Sequence, residues 1–167
     1  MKFVIEQLQQ NNTVFTNLLK DVNEDMFIWK QNSDKWCLLE IVCHLYDEER
    51  EDFRFRTKWV LDKPNQTPPL FNPLKWVTER NYMEQNYNQV LKHFTEEREQ
   101  SIQWLLSLEN PKWENYFEHP KKGKLTAKFF LTNWLAHDYL HIRQIIKLKF
   151  DYLEHQSREK LDYAGIW

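Results

Sequence analysis

Hydrophobic residues recur at intervals of three, four and seven along four stretches of the chain, which places them on one side of an α-helix. This periodicity predicts helices over about residues 2–20, 37–61, 74–108 and 126–153. Thr126 begins the last of these stretches and is a suitable N-cap residue. Hydrophobic and polar residues do not alternate with a period of two, the pattern typical of a half-buried strand, over more than a few residues. The sequence therefore predicts no strands.

The connection between the second and third predicted helices is long and rich in proline. It runs from Asp62 to Pro73 and contains four prolines, which exclude a helix there. A helix of about 25 residues is roughly 37 Å long, and an extended connection of this length reaches roughly 40 Å. The connection can therefore return along the whole bundle and allow the second and third helices to run parallel. The next connection, residues 110–125, contains two prolines and a glycine and is predicted to be irregular.

Composition favours a single, all-α domain over residues 1–167. The chain is 41% hydrophobic and 29% charged, and it is long enough to bury a core without disulfides or a structural metal. Only two glycines occur. Sheet proteins need glycine in turns and bulges, so this scarcity favours long helices joined by few loops. The eight tryptophans indicate a core built largely from aromatic rings.

Charge and cysteine usage exclude several classes of function. The formal net charge is −2 and the basic residues are scattered, which disfavours binding to nucleic acid. There is no apolar run of about 18 residues and no signal peptide, so we expect a soluble, cytoplasmic protein without membrane association. Cys37 and Cys43 have the spacing of neither a redox pair nor a metal-binding pair. We expect both to be reduced, and neither to be a nucleophile.

Two histidines four residues apart, His137 and His141, lie in the last predicted helix. At about 100° per residue their side chains differ by about 40° around the helix and project side by side. They fall within the apolar stripe, where an unpaired polar group costs roughly 1–3 kcal/mol. One divalent metal would satisfy both imidazoles, but hydrogen bonds to core or boundary groups would also do so. No Glu follows His137 directly, so the zinc-protease pattern H-E-x-x-H is absent.

A tetrahedral catalytic metal site needs a third protein ligand and leaves one position open. His44 in the second predicted helix is the best candidate for that ligand. It lies roughly 110° from the centre of the apolar side, which places it at the margin between core and water. A boundary histidine with its tip in water is an equally good interpretation. His93, His119 and His155 lie among polar neighbours and are not candidates.

Glu48 and Gln144 are candidates for supporting roles around such a site. Glu48 lies one turn after His44 and could be a fourth ligand or a general base, although a solvated carboxylate is the simpler interpretation. Gln144 lies about 20° from His137 around the helix and could orient a ligand or a bound water, or simply line a pocket rim. Asp138 could accept a proton from a neighbouring imidazole or lie at the surface, and we assign it no role.

Two segments resemble the signatures of the DinB/YfiT-like metalloenzyme family. In residues 36–49 a Trp precedes the helix start, a Glu closes the first turn and a His-Leu pair follows. Residues 137–144 resemble the second signature, near the end of the fourth helix. The resemblance extends over essentially the whole chain, including the helix order and the long middle connection. One departure is Cys37, where the family more often has Ser or Thr, so the expected capping box with Glu40 is weakened.

The resemblance implies a four-helix bundle with up-down-down-up topology, usually dimeric. It also implies a divalent metal, often nickel or zinc, held by three histidines, here His44, His137 and His141. The last helix has a second apolar side, which a dimer interface or aromatic residues of loops could cover. The residues of this second apolar side are Leu135, Tyr139, Ile142 and Ile146.

Some members of this family transfer low-molecular-weight thiols, such as bacillithiol, mycothiol or glutathione, onto electrophiles. The resemblance therefore implies metal-assisted thiol S-transfer in stress or xenobiotic defence, with a small-molecule thiol and an electrophile as substrates. Metal-dependent hydrolysis is one alternative, with Glu48 as its base. A non-catalytic metal-binding protein of the stress response is another. The ligand set does not select the metal, because three imidazoles suit zinc, nickel, copper and iron comparably.

Overall fold

Four long helical segments form a bundle, close to the four that the periodicity predicts. The computed structural model describes residues 1–70 and 72–165, without the side chain of Leu74. In chain order the helices are α1 (Lys2–Leu19), α2 (Glu24–Phe27), α3 (Leu38–Asp47), a π-helical segment (Glu48–Arg54), α4 (Phe55–Asp62), α5 (Pro73–Glu79), α6 (Tyr87–Ser107) and α7 (Ala127–Ser157). There are also two strands, β1 (Tyr116–His119) and β2 (Gly123–Thr126), and two 3₁₀ turns, Tyr82–Glu84 and Asp162–Ala164.

Contacts between the helices fix their directions. The pairs across the interface of α1 and α6 are Leu8–Arg98 and Leu19–Tyr87, so these two helices are antiparallel. The pairs between the continuous helix α3–α4 and α6 are Tyr46–His93 and Arg54–Ser101, so these run parallel. The pairs between α3–α4 and α7 are His44–His141 and Phe53–Trp134, which makes them antiparallel. The topology is therefore up-down-down-up, as predicted, with the proline-rich connection joining the two parallel helices.

The prediction of one helix over residues 74–108 is wrong in its first part. The chain instead forms α5, a 3₁₀ turn and then α6. Asn81 adopts a left-handed conformation with φ of 47°, which ends the helical path. Asn86 then caps α6, because its side chain accepts a hydrogen bond of 3.0 Å from the backbone N–H of Gln89. Two asparagines thus interrupt a hydrophobic period that continues across them.

The prediction of no strands is also wrong, because residues 110–125 contain most of a short hairpin. In the antiparallel pair β1–β2, Phe117 lies opposite Leu125, and both side chains are buried. Gly123 has φ of +67° and provides the left-handed turn residue. Each strand is only four residues long. An alternation this short is too weak to stand out in the sequence.

Helix α7 begins as predicted and ends later. The side chain of Thr126 accepts a hydrogen bond of 2.9 Å from Phe129 and caps the helix. The helix continues to Ser157, beyond the predicted end at residue 153. No helix within the described ranges is both long and apolar enough to cross a membrane.

The second apolar side of α7 is only partly covered. Leu135 is buried and Ile142 packs against the core, whereas Tyr139 and Ile146 are exposed. Aromatic residues of loops therefore do not cover the whole of this side. Its use as a dimer interface stays a prediction.

Candidate metal centre

Three histidines from two helices converge on one point. His44 lies on α3, and His137 and His141 lie one turn apart on α7. The Nε2 atom of His137 lies 3.3 Å from that of His44 and 3.0 Å from that of His141. Nitrogens bound to one tetrahedral zinc ion at 2.0–2.1 Å are about 3.3 Å apart. The three donor atoms, all within 4.8 Å of one another, therefore fit a divalent metal.

Burial keeps these imidazoles neutral, which is the form that binds a metal. His44 is only 7% exposed, so its predicted position at the margin of the core is wrong. Burial, together with the neighbouring His141, lowers the pKa of His44 to about 3. Burial and the two other histidines lower the pKa of His137 to about 2. Burial also lowers the pKa of His141.

The outer nitrogens of two of these histidines face supporting side chains. Nδ1 of His141 lies 2.8 Å from Oε1 of Gln144, so this amide oxygen can accept its proton and leave Nε2 free for a metal. Nδ1 of His44 is buried without a hydrogen-bond partner, and the nearest carboxylate oxygen, on Glu48, is 3.9 Å away. A metal on Nε2 of His44 would place a proton on this Nδ1, and Glu48 would have to move closer to accept it.

Glu48 is not a solvated carboxylate. It begins the π-helical segment and is 5% exposed. Burial, and then the nearby Asp52, raises the pKa of Glu48 to about 9. Its carboxyl group lies beside the outer nitrogen of His44, and among the described residues the cluster of possible ligands contains histidines alone. Glu48 therefore lies outside the cluster of possible ligands, with its carboxyl group 3.9 Å from Nδ1 of His44.

Two clefts flank the three histidines. A cleft of about 580 Å³ includes His141 in its lining, and a cleft of about 410 Å³ includes His137. Leu140 lines both clefts. The ring of Trp36 packs 4.9 Å from that of His44, and the ring of Phe53 packs 4.9 Å from that of His137. Small molecules can therefore approach the histidines from two sides of an aromatic-walled site.

The other three histidines lie outside the cluster, as expected. The ring of His93 packs against Tyr46, and that of His155 packs against Trp29. His119, at the end of β1, lines the cleft that contains His137.

A sequence comparison identifies the family. The sequence model of the DinB superfamily matches residues 7–145. The chain belongs to the DinB superfamily. Among solved structures, this DinB protein is similar to YfiT from Bacillus subtilis, described as a probable metal-dependent hydrolase with an unusual four-helix bundle topology. The TM-score is 0.79 at 17% identity, over 90% of this chain and 86% of YfiT. A search of curated proteins finds no match.

A buried ionic network lies directly behind the histidines of this DinB protein, and sequence reasoning missed it. Arg98 on α6 is 1% exposed and binds Glu49 and Asp138. The indole N–H of Trp134 donates a hydrogen bond of 2.9 Å to Glu49. The side-chain amide of Asn11 donates one of 3.0 Å to Asp138. The network therefore connects α1, the π-helical segment, α6 and α7.

The surface position considered for Asp138 from sequence is wrong. Asp138 is fully buried, and its carboxylate accepts hydrogen bonds from Arg98 and Asn11. One signal in the sequence could have indicated the network. Arg98 interrupts the apolar stripe of its helix, four residues after Phe94 and three before Ser101. A charged residue in that position needs a buried partner.

The two cysteines are free, as expected, and both are buried. Burial raises the pKa of Cys37 to about 11 and that of Cys43 to about 12. Both are therefore protonated near neutral pH and are poor nucleophiles. The backbone N–H of Cys37 donates a hydrogen bond of 2.9 Å to Glu40, so this part of the capping box is kept despite the missing hydroxyl.

Proposed function

We propose that this protein is a divalent-metal-dependent enzyme that transfers a small-molecule thiol onto an electrophile. The main support for this proposal is that three neutral imidazole nitrogens converge between two clefts. We expect nickel or zinc as the metal, since both accept three imidazole ligands. A bound divalent metal lowers the pKa of a thiol or a water that it coordinates, so that either becomes a nucleophile near neutral pH.

The roles of the side chains follow from their positions. His44, His137 and His141 would hold the metal. Gln144 would fix the ring of His141 by accepting the proton of its outer nitrogen. Glu48, 3.9 Å from Nδ1 of His44, would have to move closer to do the same.

The absence of a poised base favours a thiol over water as the nucleophile. Hydrolysis usually requires a side chain that accepts a proton from water. The carboxyl group of Glu48 lies 3.9 Å from Nδ1 of His44 and is the candidate base. Its raised pKa keeps it protonated at neutral pH. A coordinated thiol needs no such base. Two separate clefts also suit a reaction with two substrates.

Metal-dependent hydrolysis is the second candidate, and the description of YfiT favours it. For this reaction Glu48 would have to lose its proton when the metal binds. A non-catalytic metal-binding role is less well supported, since clefts reach the histidines from two sides.

The test uses protein purified without a histidine tag and loaded with nickel or zinc. Bacillithiol, mycothiol and glutathione are each assayed with monochlorobimane as the electrophile, and 4-nitrophenyl acetate is assayed in parallel without thiol. We expect a rate that requires both metal and thiol and that is lost in His141→Ala but kept in His93→Ala. A metal-dependent rate without thiol would instead support hydrolysis. No metal-dependent rate in any assay would contradict both catalytic proposals.

A further inference from the structure

The cleft beside His141 is positively charged, although the whole chain carries a net charge of −2. Its lining contains Lys35, Arg143 and Lys147, with Asp151 as its one carboxylate. Asp151 forms an ion pair with Lys147. The charges of Lys35 and Arg143 are thus left in excess. Positive charge gathered in a concave site attracts an anionic ligand.

Lys35 and Arg143 are available to bind such a ligand. Within the part of the chain that the structure describes, no side-chain hydrogen bond or ion pair connects either residue to another. Both side chains are exposed to solvent at the cleft. A guanidinium can bind a carboxylate through two parallel hydrogen bonds, and an ammonium group adds a compact charge beside it.

The same cleft has an apolar wall that leads to the metal centre. Trp29 and Trp36 line it together with Leu148. The ring of Trp36 packs against the ring of His44, so one side chain belongs to both the cleft and the histidine cluster. A ligand in the cleft can therefore place its apolar part on the tryptophans and still reach the histidines.

The second cleft holds less excess positive charge. Its cations are Arg56 and Lys122, and Arg56 forms an ion pair with Asp52. Most of the other side chains in its lining are apolar or aromatic. The apolar members include Phe117, Leu125, Phe129 and Phe130. An apolar electrophile is the better match for that side, which leaves the cationic cleft for the thiol.

We infer that Arg143 and Lys35 are specificity-determining residues that bind a carboxylate of the thiol substrate in the cleft beside His141. This inference rests on the proposed thiol transfer and adds the chemical class of the thiol. It assigns the anionic substrate to the His141 side and the electrophile to the His137 side.

The test measures thiol binding to the cobalt-substituted protein through the sulfur-to-cobalt charge-transfer absorption band. The two probes are 3-mercaptopropionate and 3-mercapto-1-propanol, which differ in the presence of a carboxylate. Wild type should bind the carboxylate probe about tenfold more tightly, as expected for a charge-assisted contact. Arg143→Gln should lose this preference, and Lys35→Gln should reduce it. Lys122→Gln is the matched control, because it removes a cation from the other cleft.

Each outcome separates this inference from the function on which it rests. Equal affinities for the two thiols in wild type, or an unchanged preference in both Arg143→Gln and Lys35→Gln, would overturn the inference and leave thiol binding intact. If Lys122→Gln reduced the preference for the carboxylate thiol as much as Arg143→Gln does, the inference would also be overturned, since a general effect of charge would then explain the preference. If the protein holds one cobalt per chain and gives no band with either probe, the proposed thiol chemistry itself fails.

Discussion

Arg98 donates two hydrogen bonds, of 2.7 and 2.8 Å, to the carboxylate of Asp138, the residue that follows His137 in the chain. It donates a third, of 2.9 Å, to Glu49. All three charged side chains are buried. Isolated charges in such surroundings would each cost several kcal/mol, so each of them depends on the others. The turn of α7 that carries His137 is therefore held in place without any metal.

Arg98→Met should lower the free energy of unfolding of the metal-free protein by about 3–5 kcal/mol, because two carboxylates are left buried and unpaired. Urea denaturation measures this change. Lys92→Met on the same helix is the control, since Lys92 and Glu96 form an exposed pair at 3.7 Å. The control should change stability by no more than about 0.5 kcal/mol. A loss below about 1 kcal/mol in Arg98→Met would show that the network does not stabilise the fold in this way.

Metal content should depend on all three clustered histidines. Wild-type protein purified without a tag should contain one nickel or zinc ion per chain, as measured by elemental analysis. His44→Ala and His141→Ala should lose it, because two imidazoles alone bind a divalent metal weakly. His93→Ala should keep it. Stoichiometric metal in His44→Ala would contradict the three-ligand site.

Gln144→Ala should weaken metal binding without removing the site. The variant loses the acceptor at 2.8 Å that fixes the ring of His141. Loss of such a partner typically costs about 10–100-fold in affinity. Competition with a chromophoric chelator measures the dissociation constant. Gln103→Ala is the control, because Gln103 is exposed on α6, away from the histidines, and donates a hydrogen bond to Glu99 of the same helix. Unchanged affinity in Gln144→Ala would mean that His141 is oriented by its packing alone.

The metal-free protein should lose stability as the pH falls below about 6.5, the pKa of unfolded histidine. The folded-state pKa values of His44 and His137 are about 3 and about 2, so the unfolded chain binds more protons throughout this range. Stability therefore rises with pH there, by up to about 1.4 kcal/mol per pH unit for each histidine. Urea denaturation between about pH 7 and pH 4 measures the slope, which should be smaller in His137→Gln.

Glu48 contributes with the opposite sign. Its folded-state pKa of about 9 is raised above the value of 4.5 for an unperturbed Glu, so the stability that it adds is lost as the pH rises through that interval. The three histidines outweigh it below about pH 6.5. Above that pH, Glu48→Gln should reduce the decline in stability of the metal-free protein. A metal-free protein whose stability does not change between about pH 4 and 6.5 would contradict the buried, neutral histidines.

The four long helices could be predicted because each buries one continuous apolar side. The features that could not be predicted from the sequence depend on one or two residues or on very short segments. Asn81 and Asn86 break the third predicted helix by local backbone and side-chain effects, which do not alter hydrophobic spacing. The hairpin β1–β2 is a pair of very short strands, covered by Val60 and Leu61 of α4, which is distant in sequence, and by the first turn of α7.

The candidate metal ligands could be selected from spacing and family resemblance, but their surroundings could not. The burial of Glu48 could not be predicted from its position one turn after His44, because it depends on how the π-helical segment that begins at Glu48 packs in the bundle. Arg98 finds its partners on other helices, 40 and 49 residues away in the chain. Such pairs are set by packing in three dimensions and leave no local pattern.

The candidate ligands come from α3 and α7, whereas α1 and α6 supply none of them. The buried network around Arg98 joins the helices through other residues. Architecture and metal chemistry are thus carried by separate sets of side chains. In evolution, one histidine could be exchanged for a different donor, and the preferred ion could change with it, while the ancestral scaffold is conserved.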